Sequence, residues 1–155
     1  MRVANKNASK YVNELKEFKG SYNKYGKHDA SIFAENESAL DLYGEDLYVV
    51  YSYGYHFPMY IYDRQAGIWI GSEDRHSPTT SKHQSQCRPS AEIKCWLDTA
   101  DEMNEYIRCG SMMKYMEIKA KVAWLKMLWV HNKNYEEKTM GDVININKKK
   151  VREER

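Results

Sequence analysis

The sequence predicts an α+β protein, with a small antiparallel β-sheet, an N-terminal helix and a C-terminal helical section. Three observations support this fold class. A β-branched and aromatic run lies between Leu47 and Tyr62, apolar residues near the N-terminus have helical spacing, and a capping box at Thr99 opens a helical region. A chain of 155 residues, 42% of them hydrophobic and 30% charged, is long enough for one domain with a helical appendage.

The first element is predicted as a helix over residues 8–22. Tyr11, Leu15, Phe18 and Tyr22 recur at spacings of four, three and four, which places them on one face of a helix. Gly20 lies near its predicted end. We therefore expect residues 1–27 to form a helix with a linker, and residues 28–110 to form the α+β core domain.

The core domain is predicted to contain a meander of antiparallel strands. The strand segments are expected at 31–36, 39–44, 47–53, 59–62, 67–71 and 92–97. Gly54 and Pro58 separate the two strongest of them. Thr99 and Glu102 then form the capping box of a helix with Met103 inward, and Gly110 ends that helix.

Between these strands, the segment SPTTSKHQSQ (77–86) contains no aliphatic or aromatic side chain and is predicted as a polar loop. Hydroxyls, backbone N–H groups and a lysine can hold an anion, and nearby aromatic rings can stack on a base. The candidate ligand-binding residues are therefore Thr79, Thr80, Ser81, Lys82, His83, Ser85 and Gln86, with His56 and Tyr53.

Three other interpretations of this polar segment stay open. It can be a structural network that satisfies backbone groups, with His83 tied to the turn at His56. It can belong to a small hydrolase that uses His83 as base, although neither a GxSxG pattern nor an acid positioned beside His83 is present. It can hold zinc, but His76, His83, Cys87 and Cys95 lack two closely spaced ligand pairs. The sequence thus assigns no catalytic residue, no metal ligand and no cofactor.

The C-terminal section is predicted as a long helix over 111–134, followed by a charged, loosely ordered tail over 135–155. At about 100° per residue the helix has two apolar faces. The first face comprises Met113, Met116, Ala120, Trp124 and Met127. The second face comprises Ile118, Val122, Leu125 and Trp129. Lys114 and Lys121 separate the faces along one flank, and Lys119 and Lys126 along the other.

A helix with two apolar faces has more apolar surface than one sheet can cover. We expect one face to pack on the protein's own sheet and the other on a second copy, most simply in a dimer. The predicted interface includes Leu125 and Trp129, or else Trp124 and Met127. The alternative is that the N-terminal helix and the tail cover the second face within one chain.

Two segments together resemble a family of small, mostly phage-encoded proteins that is known as a domain of unknown function. The family pairs a Ser-Tyr-Gly-x-His-(Phe or Trp)-Pro turn with a Thr-Thr-Ser-x-His-x-Ser-Gln loop. The chain matches the turn at Ser52, Tyr53, Gly54, His56, Phe57 and Pro58, and the loop at Thr79, Thr80, Ser81, His83, Ser85 and Gln86. It departs from the family at 76–78, where His, Ser and Pro replace a Tyr-Ser-Val step. The resemblance covers about residues 48–110 and implies phage origin without implying an activity.

Charge and cysteine usage complete the sequence-based expectations. A net charge of +2 is too small to indicate nucleic-acid binding by itself. The N-terminal segment lacks the apolar core of a signal peptide, no apolar run reaches the ~20 residues of a membrane span, and three cysteines without a CxxC pair favour a reducing cytoplasm. These features favour a cytoplasmic protein without a membrane partner, and the phage origin that the resemblance implies places it in the infected host cell. It is expected to act by non-enzymatic binding to a host or defence factor, with nucleotide or nucleic-acid binding as the alternative.

Overall fold

The computed structural model describes residues 2–24, 26–37, 46–75 and 77–154, with side chains as far as Lys133. The chain divides into two compact units, Met1–Tyr115 and Met116–Arg155. The first unit contains a six-stranded sheet with helices, and the second contains the greater part of the last helix. The predicted α+β fold class is confirmed.

The elements follow one another in this order along the chain. The helices are a short 3₁₀-helix (Asn5–Asn7), α1 (Ala8–Asn13), α2 (Pro78–Cys87), α3 (Ala100–Cys109) and α4 (Met112–Glu154). The strands are β1 (Phe18–Lys19), β2 (Ile32–Glu37), β3 (Leu47–Ser52), β4 (Pro58–Asp63), β5 (Ile68–Ser72) and β6 (Ile93–Leu97). The strand predicted at 39–44 lies outside the described residues.

The sheet is mixed, so the prediction of a purely antiparallel sheet was wrong in its last pair. The strands lie in the order β1-β2-β3-β4-β5-β6, and the first four pairs are antiparallel. β6 pairs with β5 in parallel. The reason is the helix α2 between them, which carries the chain back across the sheet so that β6 runs in the same direction as β5.

Two hydrophobic cores cover the two faces of the sheet. On one face α1 and α2 pack through Val12 and Cys87 against side chains that include Tyr48 and Val50. On the other face Met103 and Tyr106 of α3 pack against a set that includes Phe33, Leu47, Val49 and Ile61. Successive residues of β3 alternate between the two cores, and every residue of the strand is buried. Burial on both faces explains the continuous apolar run that predicted this strand.

The N-terminal helix is shorter than its spacing predicted. α1 ends at Asn13, and Leu15 adopts a left-handed backbone with φ of 55°. Phe18, predicted on the helix face, instead belongs to β1 and pairs with Ala34 of β2. Its ring lies in the same core as Val12, whereas Tyr22, predicted on the same helix face, is exposed.

The last two helices begin where the sequence predicted. Thr99 Oγ1 accepts a hydrogen bond from the Glu102 N–H at 3.1 Å, and Gly110 ends α3 in the left-handed conformation with φ of 79°. α4, however, continues to Glu154, so the predicted helix end near residue 134 was wrong. The loose order of residues 135–155 stays a prediction. Residues 135–154 are polar but contain no proline and a single glycine, and lysine and glutamate are good helix formers. Among the described residues, no helix is both long enough and apolar enough to span a membrane.

Candidate functional site

The polar segment that was predicted as a loop is the helix α2. Ser77 is its N-cap, since Ser77 Oγ accepts a hydrogen bond from the Thr80 N–H at 3.1 Å, and Pro78 occupies the first helical turn. Both residues are favoured at these positions, because the serine oxygen satisfies a free N–H and proline needs no hydrogen-bond acceptor there. Pro89 lies beyond Cys87, where the helix has already ended.

One face of α2 is buried although it is mostly polar. Thr80, His83, Gln84 and Cys87 are the buried residues, and their spacing of three, one and three places them on one side of the helix. Gln84 Nε2 donates to the Asp74 carbonyl at 2.8 Å and to the Ser72 carbonyl at 3.4 Å. The Tyr60 hydroxyl donates to the Gln84 carbonyl at 2.7 Å. These contacts join α2 to the end of β5 and to β4.

His83 joins α2 to the end of β3. Its Nδ1 lies 2.8 Å from Ser52 Oγ, and both residues are buried, with exposed fractions of 4% and 1%. Burial lowers the pKa of His83, and the neighbouring Lys82 lowers it further. A buried imidazole that contacts Ser52 supports the interpretation of this segment as a structural network. The same burial argues against His83 as the exposed base of a hydrolase.

The turn after β3 brings two further predicted residues to this region. Tyr53 has a left-handed backbone with φ of 64°, its N–H donates to the Ser31 carbonyl at 2.8 Å, and its ring centroid lies 5.0 Å from that of His83. His56 is exposed, and its carbonyl accepts a hydrogen bond from Asn104 of α3 at 3.3 Å. The two predicted segments therefore meet through Ser52 and Tyr53.

An open cleft of about 470 Å³ lies beside this turn. Its lining includes Tyr53, His56, Asn23, Gly26 and Lys27. Asn23 Nδ2 is buried and has no hydrogen-bond partner among the described residues. Asn23 and Lys27 were not predicted as site residues, because they lie in a polar turn that carries no binding motif and is about 50 residues from the polar segment 77–86.

The remaining predicted residues of the polar segment lie away from the buried network. Thr79, Lys82 and Ser85 are exposed, and Ser81 and Gln86 are partly exposed. Ser85 Oγ donates to the Ser81 carbonyl at 3.1 Å within the helix. None of these five residues lines the cleft. The ligand-binding residues predicted from the sequence therefore lie in three places: in the buried network, on the exposed surface of α2, and in the cleft, which Tyr53 and His56 line.

A second buried polar cluster, which was not predicted, is centred on Asp63 at the end of β4. Asp63 is fully buried, and its Oδ1 accepts hydrogen bonds from the N–H groups of Gln65 and Ala66 at 3.0 and 3.1 Å. Its Oδ2 accepts from the Tyr106 hydroxyl and, at 2.8 Å, from the Met112 N–H. This carboxylate ties the sheet to α3 and to the first turn of α4.

The surface of α4 is the most apolar exposed region of the described chain. Twelve large hydrophobic side chains are exposed among the described residues, and ten of them lie on α4. Both predicted faces are exposed: Trp124 and Met127 of the first to 59% and 66%, Leu125 and Trp129 of the second to 62% and 63%. The expectation that one face packs on the protein's own sheet and the other on a second copy stays a prediction.

Neither metal ligation nor sequence relatives assign an activity to these sites. Within the part of the chain that the structure describes, no group of three or more His, Cys, Asp or Glu side chains could hold a metal ion. No family model matches the chain, and neither a curated protein nor a solved structure matches it significantly. Membership of the phage family therefore stays a prediction.

Proposed function

We propose that this protein acts by binding and catalyses no reaction, and that α4 is its binding element. The observation that carries this proposal is the cluster of ten exposed large hydrophobic side chains on α4 between Met113 and Val130. Exposed apolar side chains are unfavourable in water, and a large contiguous group of them marks an interaction surface. The buried histidine of α2 supports the same conclusion, because it leaves that helix with a structural role.

The amount of exposed apolar surface is sufficient for an interface. The ten side chains are each exposed by 37% to 82%. If half of a ~200 Å² side chain is exposed at each position, they present on the order of 1,000 Å². Divided over the two faces, this is about 500 Å² on each, as large as the largest apolar patch of a typical monomer, which is about 300–600 Å² and is often functional. A stable interface buries about 800 Å² on each partner, of which about 57% is apolar, so about 500 Å² of apolar surface on one face is enough for one interface.

The first face is suited to self-association. Met113, Met116, Ala120 and Met127, together with Ala123 and Val130, recur at alternating spacings of three and four residues, as in the seam of a coiled coil. The two alanines allow close approach of a second helix, and methionine side chains adapt to irregular gaps.

The flanks of the first face agree with a parallel pair. One flank of this seam carries Lys119 and Lys126, and the other carries Glu117 and Trp124, the member of the first face that lies beside the seam. In a parallel pair the two different flanks meet across the interface, so Lys119 approaches Trp124 of the other copy in a cation–π contact. The protein forms a homodimer through this face.

The test is the sedimentation of the full chain and of two matched double variants. Met116→Asp with Met127→Asp should convert the dimer to a monomer, because it places charges in the first face. Leu125→Gln with Trp129→Gln should leave the dimer intact. All four side chains are exposed, so neither variant should shift the melting temperature of the sheet unit. A wild-type chain that sediments as a monomer would refute self-association.

The proposed function in the cell depends on the apolar face of α4 that the dimer does not cover. A dimer through the first face leaves the second face available for another macromolecule. In the phage setting that the sequence resemblance implies, that macromolecule is a host or defence factor. The protein thus acts as a dimeric binding module.

Nucleotide binding is a second candidate function, and the strained backbone at Tyr53 favours it. A left-handed conformation costs a bulky residue about 1–2 kcal/mol, and such strain is concentrated at functional sites. The Tyr53 ring, the Lys27 ammonium and the unpaired Asn23 amide line one cleft, so a base can stack while a phosphate is bound. The site lies beside α2 and not along the predicted residues 79–86.

Titration with a mononucleotide, a nucleoside and inorganic phosphate tests this second candidate. The mononucleotide should bind more tightly than either of its parts, and Lys27→Gln should weaken it about tenfold. Lys82→Gln is the matched control, since Lys82 is exposed on α2 and lies outside the cleft lining. Equal affinities of the wild type and of Lys27→Gln would exclude the cleft as the site.

A further inference from the structure

We propose that the second face of α4 binds an acidic amphipathic helix of a partner protein. This inference deepens the proposed function, because it names the partner chemistry for the face that the dimer leaves exposed. The second face consists of Ile118, Val122, Leu125 and Trp129, which are exposed by 40%, 38%, 62% and 63%. Its occupant is specified by spacing, by core chemistry and by charge.

The spacing of the second face specifies a helix as the occupant. Ile118, Val122, Leu125 and Trp129 follow one another at intervals of four, three and four, a heptad seam. Two helices mesh along such a seam because each side chain enters a hole between four side chains of the other helix. Val122 and Leu125 supply the β-branched and leucine pair that favours a two-stranded arrangement.

The charges on both flanks of this seam specify an acidic partner. Lys114 and Lys121 flank the seam on one side, and Lys119 and Lys126 on the other. Lys114, Lys121 and Lys126 are exposed. Flanking residues of a seam decide which helix pairs with it through charge, and carboxylates at the matching positions of a partner would attract these lysines.

The same charges disfavour a second copy on this face. Every flanking lysine would meet a lysine of the other copy in a parallel or an antiparallel pair, which repels. The seam of the first face differs, because one of its flanks carries Glu117 and Trp124. The two faces therefore separate self-association from binding of a foreign protein.

The experiment uses two synthetic helical peptides that share an Ile/Leu heptad core. One carries glutamate at the flanking positions and the other carries lysine. Labelled peptide is titrated with the full-length protein, and anisotropy is followed at low and high salt. The acidic peptide should bind at least about tenfold more tightly than the basic peptide, and its binding should weaken as salt rises.

Charge-reversal variants identify the face that binds the peptide. Lys121→Glu with Lys126→Glu should weaken the acidic peptide about tenfold and strengthen the basic one. Lys10→Glu with Lys82→Glu makes the same change in net charge on the sheet unit and should have no effect. Met116→Asp with Met127→Asp should abolish the dimer and leave peptide binding intact, so failure of the dimer and failure of this inference are distinguishable.

Two outcomes would overturn the inference. Equal affinity for the acidic and basic peptides would show that the flanking lysines select no partner. The second is binding of anionic phospholipid vesicles that depends on charge alone. If Lys121→Glu with Lys126→Glu abolishes that binding and Leu125→Gln with Trp129→Gln does not, this face is a charged membrane-binding surface and not a helix-binding seam.

Discussion

The contact between His83 and Ser52 is expected to contribute measurably to the stability of the sheet unit. His83→Phe keeps the size of the buried ring but removes the nitrogen that lies 2.8 Å from Ser52 Oγ. Because Ser52 is only 1% exposed, its hydroxyl cannot turn to water. A buried group left without a partner costs about 1–3 kcal/mol, and we expect that loss from His83→Phe and from Ser52→Ala.

The double variant separates the hydrogen bond from other effects of the substitutions. Replacing both partners by apolar groups removes the unsatisfied atom, so Ser52→Ala with His83→Phe should cost less than the two single changes added together. The expected coupling energy is about 1 kcal/mol or more. Urea unfolding of the four proteins, followed by circular dichroism, measures it. Single variants with wild-type stability, or strictly additive losses, would refute the buried network.

The pH dependence of stability provides an independent check of the same contact. Burial lowers the pKa of His83 in the folded chain below its ordinary value near 6.5. The unfolded chain therefore binds more protons as the pH falls below about 6.5, and the free energy of unfolding decreases in that range. The stabilising contribution is complete above about 6.5. The difference in slope between the wild type and His83→Phe isolates this residue, and identical slopes would contradict a lowered pKa.

Three further substitutions or deletions test other parts of the fold. Ser77→Ala removes the N-cap of α2 and should lower the unfolding free energy by about 1 kcal/mol, whereas Ser85→Ala, on the exposed side of that helix, should change it little. Asp63→Asn deprives the Tyr106 hydroxyl or the Met112 N–H of a buried acceptor, and it should lower the unfolding free energy by about 2–4 kcal/mol in the same assay. An unfolding free energy equal to that of the wild type would show that the Asp63 cluster does not stabilise the fold. Deletion from Val143 onward should leave the melting temperature of the sheet unit unchanged, since that unit ends at Tyr115, and a large decrease would mean that the deleted residues support it.

The strands were predictable because their signal is local. β3 and β4 are rich in β-branched and aromatic residues, and their burial on both faces leaves a continuous apolar run. The capping residue Thr99 and the terminal Gly110 likewise act within a few residues of the positions that they specify.

Helix α2 was missed because its buried face is polar. Hydrophobic periodicity has no signal when Thr80, His83 and Gln84 form the inward side of a helix. The start signal was nevertheless present, since Ser77 and Pro78 are a favoured N-cap and first residue. The parallel pairing of β6 could not be predicted without that helix.

The candidate sites depended on contacts between distant parts of the chain. Ser52 and His83 are 31 residues apart, and the cleft residue Lys27 lies still further from the polar segment in sequence. The shortened α1 is a similar case, because pairing of Phe18 with Ala34 outweighs a local spacing that fits a helix. The two faces of α4, by contrast, follow directly from residue spacing.

Sedimentation equilibrium of the full chain over a wide concentration range, at low and high salt, tests binding through α4 most directly. The first face should give a dimer whose proportion rises with concentration. Its stability should be maintained or increased by salt, because burial of apolar side chains needs no ion pair between the copies and is not screened. A chain that stays monomeric as concentration rises, or a dimer that dissociates when salt is added, would contradict an apolar self-association surface on this helix.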